Sequence, residues 1–228
     1  MGIGPQRQQY HVHKALITHH SEYFHKALNG PWKEAEDKTV VLDHVDPMIF
    51  DIFSHWLYAQ KLPTQTEWDR LAKTYQPAEQ HHKEDSVLNK IIVLTKALIF
   101  ADRFFSPGFH RAVNNAIVDI VVTETKLIDI SFLSAVKFAF DFLPEDHIIV
   151  KLFVDVYCRL SYCQEREMDS EVMECLEDFT PPRHLVKLMA GYFRVVSNST
   201  LRRSYANFHA CSYHQHANSR EREACNKR

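Results

Sequence analysis

Glycine is scarce in this chain, which has 5 glycines in 228 residues where a typical globular protein has about 7%. Phosphate-binding loops need closely spaced glycines so that the backbone can approach the phosphate. The sequence contains no such Gly-rich loop, no Gly-x-Ser-x-Gly elbow and no His-Glu-x-x-His stretch. These absences argue against a nucleotide-binding enzyme, a hydrolase of the nucleophile-elbow type and a helical zinc protease.

Long apolar runs and an excess of one charge are also missing. No stretch reaches about 18 uninterrupted apolar residues, so the sequence predicts no transmembrane helix, and the polar segment Met1–Gln9 does not resemble a signal peptide. The formal net charge of −2 gives no overall field that would attract nucleic acid or an anionic membrane. We therefore expect an intracellular protein, cytoplasmic or nuclear, with no membrane partner.

Cysteine is absent from the first two thirds of the chain. The five cysteines are Cys158, Cys163, Cys175, Cys211 and Cys225. An odd number without a secretion signal favours a reducing compartment. Cys158 and Cys163 lie about 140° apart on a helix, which predicts buried, inert thiols rather than a shared metal.

The residues that are present predict an α+β fold, with 45% hydrophobic and 25% charged residues as in ordinary globular domains. Alternation at Tyr10–His13 and the β-branched run Thr39–Leu42 predict two short strands. Ser21 is predicted to cap a helix that ends at Gly30 in a left-handed conformation. Asp46–Pro47 is a strong helix start, with Asp46 as N-cap.

Apolar residues at three- and four-residue spacing predict a series of amphipathic helices. The stripes comprise Ile49, Phe50, Phe53, Trp56 and Leu57; Ile91, Leu94, Leu98, Ala101 and Phe105; Phe109, Ala112, Val113, Ala116, Ile117 and Ile120; Leu133, Val136, Phe140 and Leu143; and Ile148, Ile149, Leu152, Phe153, Val156 and Leu160. Weaker helices are predicted at 171–179 and 185–195. Residues 64–85 are polar and predict a surface insertion with a helical turn around 68–71.

The order of several short motifs resembles BTB/POZ domains, and the whole chain is similar to BTB/POZ proteins that are abundant in filamentous fungi. The matching blocks are Val12–Leu16, Ser21–Phe24, Ala27–Leu28, Trp32–Ala35, Val40–Leu42, Pro47–Phe50, Phe53, Trp56–Tyr58, Leu62, Phe100–Phe104 and Ala112–Ile117. The His-Lys-x-x-Leu block followed by Ser-x-Tyr-Phe is the most specific combination. The resemblance implies a BTB/POZ-like helical cluster with a small sheet, followed by an all-α C-terminal half.

This resemblance divides the chain into a BTB/POZ-like domain at 1–122, a helical extension at 123–200 and a basic Cys/His-containing tail at 201–228. Only Met1–Ile3 precedes the turn at Gly4–Pro5, so the family's first strand is expected to be almost entirely missing. The next strand is then expected to have an unpaired edge, which favours self-association or loss of stability. A true start upstream of Met1 would explain the missing strand.

The C-terminal tail holds the one set of residues with plausible metal-ligand spacing. Cys211, His214, His216 and Cys225 supply two sulfurs and two ring nitrogens, a set that suits a tetrahedral structural Zn²⁺. His209 lies beside them. The alternative is a frayed basic tail, with six Lys/Arg and two Asp/Glu from Arg202 onward, that binds metal only adventitiously.

The remaining reactive residues favour structural roles. His13–Lys14 belongs to a family block, and Ser21 with its neighbours His19, His20 and Glu22 cannot form a triad because adjacent residues on one helix do not orient each other. Catalysis therefore has no support, and neither a required cofactor nor a small-molecule substrate is expected.

Two classes of function remain open. The first is a non-enzymatic protein-interaction module, for which the resemblance implies either a substrate adaptor for a cullin-type ubiquitin ligase or a self-associating scaffold. The second is a zinc-stabilised nucleic-acid- or chromatin-binding protein that uses the Cys/His tail. Glu221 and Glu223 interleave with the tail's arginines, which makes nucleic acid the less expected partner.

Overall fold

A computed structural model of the chain describes residues 1–75, 86–123, 130–163 and 209–227, together with positions 186, 189–191, 193 and 197. The helices are α1 Lys14–His20, α2 Glu22–Asn29, α3 Lys33–Glu36, α4 Pro47–Ala59, α5 Gln65–Tyr75, α6 Ser86–Arg103, α7 Pro107–Thr123, α8 Ile130–Phe142, α9 Ile148–Cys163 and α10 Ser219–Asn226. The strands are β1 Gly2–Ile3, β2 Gln8–Gln9 and β3 Val41–Leu42. Every described element after β3 is helical, which confirms the predicted α+β class with an all-α C-terminal half.

The chain divides into two compact units. The first comprises Met1–Lys83 and Lys96–Val113, and the second comprises Glu84–Thr95 and Asn114–Arg228. The first unit holds the sheet and the helices from α1 to α5. The second holds α8, α9 and the C-terminal segment that ends with α10.

The small sheet of the first unit has the strand order β2-β1-β3. β1 pairs antiparallel with β2, Gly2 opposite Gln9 and Ile3 opposite Gln8, and parallel with β3, Ile3 opposite Leu42. The first strand is thus a two-residue segment at the centre of the sheet, and Ile3 is fully buried.

The prediction of a strand at Tyr10–His13 was wrong, because the second strand lies at Gln8–Gln9. Gly4 has a φ of +76°, and the amide of Arg7 donates to the Gly4 carbonyl at 2.9 Å, which closes the turn. Tyr10 then bonds with Met1 in both directions. These two bonds continue the β1–β2 pairing by one residue beyond Gln9.

The two predicted helix N-caps, Ser21 and Asp46, are confirmed. Ser21 Oγ accepts from the amide of Phe24 at 3.2 Å and donates to the Phe104 carbonyl at 2.6 Å. Asp46 accepts from the amide of Met48 at 2.9 Å, with Pro47 in the first turn. Ser21 is buried and satisfied as a cap, so its hydroxyl is not presented as a nucleophile.

The prediction of a left-handed Gly30 was wrong. Gly30 caps α2 with φ −84° and ψ −176°, an extended conformation. Its lack of a side chain matters for space: a Cβ there would lie 2.5 Å from the Lys26 carbonyl oxygen and 2.7 Å from Cδ1 of Trp32. The glycine is therefore needed for close packing rather than for a positive φ.

We expect Gly30→Ala to lower the free energy of unfolding by roughly 1–3 kcal/mol, because the new methyl must displace backbone or the indole ring. Urea denaturation followed by tryptophan fluorescence measures this, since Trp32, Trp56 and Trp68 all belong to the first unit. Gly2→Ala is the matched control, because its methyl would meet nothing closer than 3.4 Å. Equal stability of the two variants would contradict the packing argument.

Aromatic rings form the core of the first unit. Phe53 of α4 is fully buried, and its ring centroid lies 5.0 Å from that of Phe100 and 5.2 Å from that of Phe109. Phe24 and Trp56 stack on it at 6.3 Å. The predicted stripe on α4 is buried throughout.

Phe105 was predicted on the apolar stripe of α6, and this prediction was wrong. The helix ends at Arg103, and Phe105 takes a positive φ of 49°. This change of backbone direction ends the helical period, so the Phe105 ring is 62% exposed whereas Phe104 is 2% exposed. Phe104 instead lies against Phe100, with ring centroids 4.4 Å apart.

The polar segment after α4 is more regular than predicted. Residues Gln65–Tyr75 form a full helix, α5, rather than one turn, and Trp68 is buried. Glu67 accepts from both the amide and the hydroxyl of Thr64 at 2.7 Å, which is half of a capping box. The remainder of the predicted insertion, 76–85, lies outside the described residues.

Some predictions fall outside what the structure describes. These are the helix at 171–179, most of the helix at 185–195, the residue Cys175 and the side chains of Leu133, Cys158, Leu160 and Cys163.

Candidate metal centre and interaction surface

The C-terminal segment is held by two asparagines of α7 within the second unit. The Asn115 side chain pairs with the backbone of Gln215 in both directions, at 2.8 and 3.0 Å. The side chain of Asn114, which is fully buried, donates to the Tyr213 carbonyl at 3.0 Å. The side-chain amides of two adjacent asparagines thus bind the backbone of Tyr213 and of Gln215, about 100 residues further along the chain.

Tyr213 makes the third attachment of this segment. The side chain is 8% exposed, and its hydroxyl donates to the carboxylate of Asp155 in α9 at 2.6 Å. A buried ring that keeps its hydroxyl bonded contributes both apolar burial and a charge-assisted hydrogen bond. Residues 209–227 are thereby a folded part of the second unit, and the frayed-tail alternative does not describe them.

Three of the four predicted metal ligands lie together in this segment. One ligand atom from each of Cys211, His216 and Cys225 lies within 4.8 Å of the others. The short 3-10 turn Ala210–Ser212 presents Cys211, and α10 presents Cys225. Sγ of Cys211 is 3.8 Å from Nε2 of His216, and it also lies 3.8 Å from the Arg222 carbonyl. Both cysteines are half-buried.

His214, the fourth predicted ligand, lies beside Cys225. Its Nδ1 is 3.2 Å from Sγ of Cys225, and its Nε2 is 3.0 Å from Oδ1 of Asp119 in α7. Nε2 is buried and is not aligned with that carboxylate in a hydrogen bond. The structure thus groups three of the predicted ligands, places His214 beside one of them, and adds a carboxylate that the sequence did not suggest.

Asp119 is the site residue that sequence reasoning missed, and Asn114 and Asn115 are the attachments it missed. The three positions lie on one stretch of α7, whose sequence suggested only an amphipathic helix. The adjacent polar residues Asn114 and Asn115, which lie between apolar positions of the predicted helix, were the available signal. His209, by contrast, is exposed and is not among the grouped ligands.

The cluster borders a cleft lined by Asn115, Asp119, His209, Cys211 and Cys225, among others. Another cleft, lined by Ser212, Asn218 and Arg222, reaches the same cluster. Solvent therefore reaches the ligand atoms, which are neither deeply buried nor fully open.

The first unit exposes large aromatic side chains. Trp32 is 59% exposed, Phe105 is 62% exposed and Tyr58 is 51% exposed. Tyr58 is engaged locally, because its hydroxyl lies 2.8 Å from Nδ1 of His13 and accepts from the amide of the same residue at 3.2 Å. Trp32 and Phe105 are the more available surfaces for a partner.

The reactive groups near α1 have structural roles. Lys14 Nζ donates to the Leu28 carbonyl at 2.8 Å, which ties α1 to the end of α2. His20 stacks edge-on against Trp56, and burial, together with the neighbouring His19, lowers its pKa. Among the described residues, the Ser21 hydroxyl bonds to backbone groups of Phe24 and Phe104 and not to a histidine that could act as a base.

A polar cluster in the first unit joins Tyr10, Tyr75 and Asp51. The Tyr75 hydroxyl donates to the Asp51 carboxylate, and the two phenol oxygens are 3.5 Å apart. Burial is the largest cause that raises the pKa of Tyr10 and the pKa of Tyr75. The hydrogen bond to Asp51 raises the pKa of Tyr75 further, whereas its hydrogen bond with Tyr10 lowers it. Both phenols stay protonated at neutral pH, so they connect elements of the fold and offer no base.

None of the described helices combines the length and the apolar character that crossing a bilayer requires. Searches against curated proteins and against solved structures each found no match to this chain. Residues 3–96 match the BTB/POZ domain family, and the match covers β1 to β3 and the helices up to the middle of α6. Residues 3–96 of this chain are thus a BTB/POZ domain, which is a protein-interaction domain and not a member of an enzymatic family.

Proposed function

We propose that this chain is a protein-interaction module that recruits partners through exposed aromatic side chains of its first unit. The observation that carries the proposal is the pair Trp32 and Phe105, each more than half exposed. Trp32 lies within the family match, and Phe105 lies in the same compact unit. Tryptophan and other large aromatic residues dominate the binding free energy of many interfaces.

The backbone around both side chains is well defined. The indole of Trp32 packs directly over Gly30. Phe105 has a positive φ; its amide donates to the Asp102 carbonyl at 3.1 Å, and its carbonyl accepts from the amide of Glu22 at 3.2 Å. A bulky residue in this conformation costs conformational energy, and exposing its ring is consistent with a binding role. Pre-positioned anchors lose little entropy on association.

Two kinds of partner fit this proposal. One is a second copy of the chain, which would make it a self-associating scaffold. Within the described sheet β2 and β3 are the outer strands, and outer strands favour such pairing. The other partner is a cullin-type scaffold, which would make the chain a substrate adaptor of a ubiquitin ligase.

We expect Trp32→Ala and Phe105→Ala each to reduce partner recovery by about 10-fold or more, because truncating an anchor removes at least ~1.4 kcal/mol of binding free energy. The measurement is affinity purification of the tagged full chain from its native cells, with quantitative mass spectrometry. Lys33→Ala, an exposed neighbour of Trp32, is the matched control and should leave recovery unchanged.

Light scattering of the purified chain separates the two partners. A mass of two or more chains that falls in the Trp32→Ala variant supports self-association, whereas stoichiometric recovery of a cullin supports the adaptor. Two results together would contradict the proposal: the wild-type chain is a monomer, and the Trp32→Ala and Phe105→Ala variants recover the same partners in the same amounts as the wild type.

The charge pattern of α10 gives less support to a nucleic-acid-binding role for the tail. Arg220 and Arg222 alternate with Glu221 and Glu223 along this short helix. Glu221 accepts from the Ala217 amide at 2.6 Å, so one of these acids stabilises the start of the helix. Alternating charges favour a solvated helix over a phosphate-binding face.

A further inference from the structure

We infer that the C-terminal segment binds one structural zinc ion through Cys211, His214, His216 and Cys225, with Asp119 of α7 orienting His214. This inference does not depend on the proposed interaction role. All five residues belong to the second unit, and the site would fasten α10 and the preceding turn to α7.

Two of the donor distances are close to those of a tetrahedral zinc site. With Zn–S near 2.3 Å and Zn–N near 2.05 Å, a sulfur and a nitrogen bound to one ion are about 3.6 Å apart. The Cys211–His216 pair, at 3.8 Å, and the His214–Cys225 pair, at 3.2 Å, lie on either side of this value. These two pairs need adjustments of only a few tenths of an ångström. His214 lies outside the group whose ligand atoms are all within 4.8 Å of one another, so its ring must move closer to that group to complete the shell.

The chemistry of the donor set selects zinc over a hard cation. Two thiolates and two imidazoles form the Cys₂His₂ set typical of structural zinc, whereas calcium and magnesium take oxygen ligands. Four protein ligands complete a tetrahedral shell, so the site would serve stability and leave no position for a reacting water.

Asp119 explains the buried Nε2 of His214. A histidine that binds zinc through Nδ1 carries its proton on Nε2, and such histidines usually donate that proton to a carboxylate. Oδ1 of Asp119 already lies 3.0 Å from Nε2, although the hydrogen-bond direction is not met. A small rotation of either side chain would align the bond, so the ion would connect the tail to α7 through His214.

The asparagine contacts and the zinc ion would both attach the C-terminal segment, at neighbouring residues. Asn114 and Asn115 hold the backbone of residues 213 and 215. His214 and His216 are the neighbours of Gln215 in the chain, so their positions are held as well. The two cysteines then close the shell from the turn and from α10. A local site of this kind stabilises a segment too short to bury a core of its own.

The test begins with the wild-type full chain, purified under reducing conditions without a chelator. We expect about one zinc per chain by elemental mass spectrometry, and a tetrahedral thiolate spectrum when Co²⁺ replaces the zinc. Wild-type protein that holds no stoichiometric zinc after incubation with the metal and gel filtration would overturn the inference. So would a mass two hydrogens lower that reports a Cys211–Cys225 disulfide in place of the metal.

Variants then test each residue. Cys211→Ser, Cys225→Ser, His214→Ala and His216→Ala should each lose the stoichiometric zinc, and His209→Ala is the matched control that should keep it. Asp119→Asn should keep one zinc at saturation but bind it about 10–100-fold more weakly. Full zinc content with an unchanged cobalt spectrum in His214→Ala would contradict the four-ligand set. If a variant does not fold, the wild-type measurements still decide the matter.

Discussion

The variant Phe53→Ala is expected to lower the free energy of unfolding of the first unit by about 3–5 kcal/mol, the cost typical of truncating a buried phenylalanine. Phe53 is 0% exposed. Its ring lies between those of Phe50 at 6.0 Å, Phe100 at 5.0 Å and Phe109 at 5.2 Å. Alanine would leave a cavity, and the surrounding rings cannot all move to fill it because they belong to three different helices, α4, α6 and α7. Urea denaturation followed by tryptophan fluorescence measures the loss.

Phe105→Ala is the matched control for this substitution, because it removes the same side chain from a site that is 62% exposed. We expect a change within about 0.5 kcal/mol. Together with the recovery experiment above, this variant would separate binding from stability. Similar losses in the two variants would show that the aromatic rings around Phe53 do not form the core of the first unit.

The variant Tyr213→Ala is expected to release the C-terminal segment. It removes a ring that is 8% exposed and the hydrogen bond to Asp155, with a loss of about 3 kcal/mol, or a roughly 100-fold larger open population. Hydrogen–deuterium exchange of residues 209–227 and tryptic cleavage at Arg220 and Arg222 report the opening directly. Tryptophan fluorescence does not report it, since the three tryptophans belong to the first unit.

Two controls bracket the Tyr213 result. Tyr213→Phe keeps the ring but loses the bond to the carboxylate, so a smaller increase in exchange is expected. Tyr58→Ala truncates a half-exposed tyrosine of the first unit and should leave the segment unchanged. Unaltered exchange in Tyr213→Ala, measured with zinc present and again with a chelator, would refute the anchoring role whether or not metal is bound.

Local signals predicted much of the first unit. Asp46–Pro47 and Ser21 start helices because a side-chain oxygen satisfies an amide of the first turn, and that geometry depends only on near neighbours. Thr64 and Glu67 give the same kind of signal for the start of α5. The short β-strands were harder to place, since pairing with β1 fixes where they begin and end.

Packing and backbone geometry that periodicity does not report decided the positions where prediction failed. Gly30 is required by the Trp32 indole and the Lys26 carbonyl, not by its own backbone angles. Phe104 is buried and Phe105 exposed because α6 ends two residues before Phe105. A periodic apolar pattern predicts that a helix is present, but it does not give the residue at which the helix ends and a turn begins.

The sequence by itself determined the fold class, the BTB/POZ character of residues 3–96, the helix starts and the four candidate metal ligands. Each depends on residues close together in the chain or on an ordered set of short blocks. Only the tertiary structure decided that Asn114, Asn115 and Asp119 meet a segment about 100 residues further on. Such contacts depend on how the helices pack, and the spacing of residues along one helix does not indicate which distant segment will pack against it.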